Sequence, residues 1–206
     1  MTQEENEKLM YSSQEDQTFY LNAVRDLPTL AGLNGTGKDK FGIPLPFGTG
    51  PHSLRCLREI VEIVKPEFIF SIGTNMGYGD AMLLELAPDA GLVSCDISYK
   101  DETIIAAQIL TERYAPRFAY LNRTEKEFLP FVEKMKFDLC FVDGSHEKVD
   151  VIEDIELCLK LKIPYIAFDD IIKDFGFAQD AINEFLDKLE LVKELGNIGL
   201  YKNKAA

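Results

Sequence analysis

The chain has 206 residues, 46% of them hydrophobic, enough for one full-core globular domain; its formal net charge of -13 repels phosphate backbones and disfavours a nucleic-acid substrate. Four cysteines (Cys56, Cys95, Cys140, Cys158) without a C-x-x-C pair, and only two histidines, argue against a His/Cys zinc site and leave reduced thiols as the expectation. No apolar run approaches the ~20 residues of a membrane span, and the acidic start Met1-Thr-Gln-Glu-Glu-Asn-Glu does not read as a signal peptide, so a soluble cytoplasmic protein is expected.

Residues 1–30 are polar, with a helical stretch near Gln14 to Asp26. Residues 31–50 are rich in glycine and proline, and a loop this long reads either as a lid over a site or as a linker. Residues 1–50 are therefore set apart as an N-terminal helical and lid segment, and 51–206 as the domain proper. Pro51 suits the first position of a helix that runs to Lys65, with Leu54, Leu57, Ile60, Val61 and Val64 on its apolar side. Phe68 to Ile72 is a continuous apolar run, as expected for a strand buried on both faces. A helix over Asp80 to Ala87 and a strand over Gly91 to Cys95 follow.

The alternation continues with a helix over Asp101 to Tyr114, a strand over Arg117 to Asn122 and a helix over Glu125 to Met135. Next come a strand over Phe137 to Val142, a helix over Val149 to Leu161, a strand over Ile163 to Phe168 and a helix over Phe177 to Leu189. The tail from Leu191 to Lys202 reads as two strands around Gly196-Asn197. The pattern predicts an α/β fold: a doubly wound, Rossmann-like, mostly parallel sheet of seven strands closed by an antiparallel C-terminal hairpin.

The glycines after the first strand fall as Gly73-x-x-x-Gly77-x-Gly79. Glycine lets backbone approach a ligand closely, and a helix start offers free N–H groups. Asp96, at the tip of the next strand, can accept both hydroxyls of a ribose. Together these features predict a nucleoside-binding corner at the carboxyl edge of the sheet. A dinucleotide fingerprint would be G-x-G-x-x-G, which this is not. The plainer alternative is a tight strand-to-helix turn that holds no ligand.

Asp143, Asp169 and Asp170 also fall at strand tips. Clustered carboxylates raise one another's pKa, and an all-oxygen set suits a hard ion such as Mg²⁺. Alternatively, some of them cap the helices that follow. His146, in Asp143-Gly-Ser-His146, is placed to act as a general base for a hydroxyl, or is a plain loop residue.

From about Pro51 to Lys202 the chain resembles small class I S-adenosylmethionine-dependent methyltransferases of the metal-dependent O-methyltransferase type. It looks most like the family with an Asp-Gly-Ser-His loop that includes macrocin-type sugar O-methyltransferases, and is more distantly similar to catechol O-methyltransferase. The resemblance rests on Gly73-Thr-Asn-Met-Gly77-Tyr78-Gly79, on Asp143-Gly-Ser-His146, and on Asp169-Asp170 downstream. It implies an enzyme that takes S-adenosylmethionine and Mg²⁺ or another divalent cation. Cofactor contacts are implied at Ser71, Gly73, Thr74, Asn75, Gly77, Tyr78, Asp96, Ile97, Thr124 and Asp143, metal ligands at Asp143, Asp169 and Asp170, and the base at His146. The implied partner is a small-molecule acceptor, with no nucleic acid and no membrane; self-association stays open. Two departures stand out: Ser71 takes the place of an acid that helps hold the methionine amino group, and Gly79 replaces a common serine. Two other readings stay open, an NAD(P)-binding oxidoreductase and a catalytically inactive cofactor-binding protein.

Overall fold

The strand Phe68–Ile72 (β1) is buried on both sides because its residues feed two different cores. Ile69 joins one cluster, and Phe70 and Ile72 join the other, as the two-residue period of a strand dictates. The computed structural model of the chain describes residues 13–28, 51–98, 100–123, 125–171 and 178–206.

Within these residues, β1 pairs in parallel with β2 (Gly91–Cys95) on one side and β4 (Leu139–Val142) on the other. β3 (Phe118–Leu121) extends the sheet beyond β2, and β5 (Tyr165–Phe168) extends it beyond β4. The C-terminal hairpin of β6 (Leu189–Leu195) and β7 (Ile198–Asn203) closes the edge, with β7 antiparallel to β5. The order is β3-β2-β1-β4-β5-β7-β6. The expected doubly wound sheet of seven strands with an antiparallel hairpin is what the chain forms.

The helices sort by face. α1 (Gln14–Ala23), α2 (Pro51–Val64), α3 (Tyr78–Leu86) and α4 (Asp101–Tyr114) give Tyr20, Leu57, Leu83 and Leu110 to one core. α5 (Glu125–Val132), α6 (Lys148–Lys160) and α7 (Ala178–Asn183) give Phe128, Ile155 and Ile182 to the other. The chain therefore winds outward from β1 to β3, then crosses back to β4 on the other side of β1. The crevice between β1 and β4 is the switch point where such sheets bind ligands.

Several element ends differ from expectation. The strand expected from Phe137 begins at Leu139; just before it, Asp138 Oδ2 accepts from the Glu67 and Phe68 amides at 2.8 and 2.9 Å. The helix expected to reach Met135 ends at Val132, and the Met135 amide instead donates to the Val132 carbonyl at 2.9 Å, in a tighter turn. The helix expected to run to Leu189 stops at Asn183, and Leu189 is instead the first residue of β6, buried and opposite Asn203.

The N-terminal helix belongs to the body of the domain. Ser13 and Asp16 form a capping box at its start, and Tyr20, Ala23 and Val24 are buried in the core. The lid expected at residues 31–50 lies outside the described residues. Among the described residues, no helix is long and apolar enough to cross a membrane.

Candidate functional site

The turn after β1 is shaped by backbone that only glycine tolerates well. Gly73 has φ +94°, and a Cβ there would lie 2.1 Å from the Asp143 carbonyl oxygen at the tip of β4. Gly77 has φ +78°, with its open side against Leu110. Asn75 between them is also left-handed, at φ 45°. This geometry aims the Asn75 amide at Asp96, whose Oδ2 accepts from it at 2.8 Å. Its Oδ1 accepts from the Ser98 amide at 2.6 Å. A carboxylate has about four acceptor positions, so the two amides fix its orientation and leave capacity for two ligand hydroxyls. Ile97 beside it is large, apolar and 60% exposed.

Across the switch point, the Asp143 amide donates to the Ile72 carbonyl at 2.8 Å, which locks the two strand tips together. The loop from Asp143 carries His146, whose Nε2 lies 3.6 Å from Asp170 Oδ2. His146 is exposed, whereas Asp169 is buried. Burial, and then the charge of Asp170, push the Asp169 carboxyl well above the usual carboxylate range. Asp170 has φ 54°, a left-handed conformation that aspartate tolerates better than most residues.

Asn197 Nδ2, from the hairpin turn, donates to Asp169 Oδ1 at 2.6 Å and to Asp170 Oδ1 at 3.2 Å. The Asn197 backbone carbonyl accepts from the Ile171 amide at 2.9 Å. The two carboxylates are thus held side by side with a neutral donor between them. Such a pair fits a cation, since a positive charge would relieve both burial and repulsion. Among the described residues, however, no group of three or more His, Cys, Asp or Glu side chains is gathered to hold a metal ion. The expected set of Asp143, Asp169 and Asp170 is thus not gathered; only Asp169 and Asp170 stand side by side.

Residues 70–171 match the profile of a family described as a methyltransferase domain. These residues resemble a methyltransferase domain, set in the class I fold. No curated protein sequence matches it. Its fold is similar to the crystal structure of the SAH-bound methyltransferase PaMTH1 of Podospora anserina, at 15% identity, 97% of this chain and 92% of that one, and a TM-score of 0.63. It is similar to the O-methyltransferase TomG of Streptomyces achromogenes in complex with SAM, at 19% identity, 95% and 92% coverage, and a TM-score of 0.62. It is also similar to an O-methyltransferase of Bacillus cereus in complex with SAH, at 17% identity, 97% and 94% coverage, and a TM-score of 0.63.

Within the matched residues, the expected site residues divide into groups. Gly73, Asn75, Gly77 and Asp96 form the corner, and Asp143 links it to the loop that carries His146. Ser71 and Thr74 are buried beneath the turn rather than open to it, and Thr74 Oγ1 lies 2.6 Å from Ser94 Oγ. The Tyr78 ring is engaged elsewhere: it stacks on Tyr20, and its hydroxyl donates to the Pro28 carbonyl at 2.5 Å, leaving its backbone to the turn. Gly79 is not part of the turn; it lies in the first turn of α3. Thr124 lies outside the described residues.

Two residues of this region were missed in sequence. Asn197 read only as a turn residue, and nothing local signals that it bridges carboxylates 27 and 28 positions earlier. Asp80 read only as a helix start. Its one legible signal is an acid directly after the glycine turn, with serines at Ser71 and Ser94 in otherwise apolar strands.

Proposed function

We propose that the chain is an S-adenosylmethionine-dependent O-methyltransferase acting on a small-molecule hydroxyl. The observation that carries the reading is spatial continuity: Gly73 meets Asp143, the Asp143 loop carries His146, and His146 faces Asp170. A donor seated on the Asp96 corner would therefore lie next to a base and an acidic pair. The family match and the solved structures similar in fold support the same reaction class.

Asp96 holds the donor's ribose, and the glycine turn leaves room for the rest of the donor. Asp169 and Asp170, joined by Asp143, would hold a divalent cation such as Mg²⁺, which would supply Lewis-acid chemistry to the acceptor hydroxyl. His146, 3.6 Å from Asp170, takes the hydroxyl proton. The acceptor oxygen attacks the sulfonium methyl; the C–O bond forms as the C–S bond breaks, and S-adenosylhomocysteine leaves neutral at sulfur. Holding both reactants in line supplies much of the rate. The net negative charge fits a small acceptor better than a nucleic acid.

The test is release of S-adenosylhomocysteine from S-adenosylmethionine over a panel of small catechols, sugars and other vicinal diols, with Mg²⁺ or with excess chelator. The expected result is turnover on at least one diol, abolished by chelator and slowed ~10²–10⁴-fold by His146→Ala. Turnover unchanged by chelator contradicts the metal assignment, and wild-type turnover in His146→Ala contradicts the base.

A further inference from the structure

Beneath the glycine turn lies a buried polar pocket used neither by the ribose acid nor by the acidic pair. Ser71 and Ser94 are direct register partners on β1 and β2. Both point to the face of α3, because Ile69 and Leu92, two residues earlier on each strand, belong to that core. Both are fully buried, where an apolar residue would ordinarily sit. Asp80, in the first turn of α3, lies over this serine pair and is 2% exposed. Among the described residues, neither of its carboxylate oxygens, nor Ser71 Oγ, has a partner in good hydrogen-bond geometry, although both serine hydroxyls lie close enough to act on the Asp80 carboxyl.

Burial pushes the Asp80 carboxyl up to about 7; the nearby Ser71 and Ser94 hydroxyls oppose the shift, and the charge of Asp96 adds to it. Among the described residues, no lysine, arginine or histidine acts on it. A buried carboxylate without a partner is costly, and is retained where a positive charge comes to meet it. The donor brings that charge. Its amino-acid tail ends in an ammonium, and the turn's half-buried acid, Asp96, is assigned to the ribose. The strand itself offers only a hydroxyl at Ser71.

We propose that Asp80 supplies the negative charge against which the cationic amino-acid end of the donor binds, acting from beneath the turn beside Ser71 and Ser94. The assignment rests on the donor being S-adenosylmethionine. In a dry pocket a charge acts over several ångströms, so Asp80 is a positioning residue that needs no direct contact with the ammonium.

The test compares two probes by calorimetry. S-adenosylhomocysteine carries the ammonium; 5′-methylthioadenosine keeps the nucleoside and the thioether but lacks the amino-acid tail. Asp80→Asn should weaken S-adenosylhomocysteine at least ~10-fold while leaving methylthioadenosine within ~2-fold, because only the charged interaction is removed. Its melting temperature should equal or exceed that of the unmodified chain, since a buried charge is lost. Equal losses for both probes, or no loss for either, overturn the proposal. If wild type binds neither probe, the failure lies with the donor assignment itself.

A second measurement needs no variant. The preference of the unmodified chain for S-adenosylhomocysteine over methylthioadenosine should fall as pH drops through about 7 and Asp80 takes up a proton. Among the described residues, the titratable groups facing Asp80 are Asp96 at the tip of β2 and Tyr120 on β3. Asp96 serves the ribose of both probes, so the ratio cancels its contribution. A ratio that stays flat from about pH 8 to about pH 6 overturns the proposal.

Discussion

Gly73 shows how one residue ties the fold to the site. Its φ of +94° is strained for any side chain, and a Cβ would sit 2.1 Å from the Asp143 carbonyl. Gly73→Ala should therefore destabilise the protein by ~1–3 kcal/mol and push the β1 and β4 tips apart. Chemical denaturation checks this, and an unchanged midpoint contradicts it. Asp80 has a signature of its own. Its folded-state pKa is raised from 3.8 to about 7, so the fold favours the protonated form. The stability this confers is fully present below about pH 4 and is lost as pH rises through about 7. The unmodified chain should lose stability relative to Asp80→Asn across that window; parallel stability curves would contradict the burial argument. Asp96 and the glycines were legible in sequence because a strand-tip acid and a glycine turn are local patterns. Asp80 was not, because its meaning depends on Ser71 and Ser94 being brought side by side by strand pairing.

Among the elements, α1 is held to α2 by a buried carboxylate. Asp16 Oδ1 accepts from Arg58 Nη1 at 2.6 Å, and Arg55 Nε lies 3.0 Å from Asp16 Oδ2. Burial works against ionisation of Asp16, but the Arg58 and Ser13 hydrogen bonds and the Arg58 charge outweigh it and leave its pKa lowered. Stability from this pair is present above the unfolded pKa and lost as pH falls through the lower folded value. Asp16→Asn should cost ~1–2 kcal/mol at neutral pH, less than a fully buried pair because both arginines are about one-third exposed. The cost should vanish in acid; a pH-independent difference between variant and wild type would contradict this. The C-terminal hairpin was readable from Gly196-Asn197, but its reach into the acidic pair was not, since that contact spans the β5–β7 pairing. Asn197→Ala should weaken divalent-cation binding ~10-fold or more by freeing the two carboxylates to move apart, while S-adenosylhomocysteine affinity stays the same. Titration of both ligands separates the effects, and an unchanged cation affinity contradicts the bridging role.

In the molecule as a whole, the order β3-β2-β1-β4-β5-β7-β6 brings the site together. It places the glycine turn, Asp96 and the Asp143 loop around one crevice, with Asp169 and Asp170 one strand further along. The alternation of apolar runs and helical periods carried this architecture in the sequence, because each β/α unit must bury its own faces. Element ends were less readable. Asp138 and Leu189 owe their placement to partners far along the chain, at Glu67–Phe68 and Asn203. The central claim is that the crevice binds the methyl donor through Asp96. Calorimetric titration of the unmodified chain and of Asp96→Ala with S-adenosylhomocysteine, and with NAD as comparison, tests it most directly. The account expects S-adenosylhomocysteine to bind and NAD not to, and the variant to bind at least ~10-fold more weakly through loss of charge-assisted bonds worth roughly 1.5–3 kcal/mol each. Equal affinity in the variant, or NAD bound in preference, would contradict it.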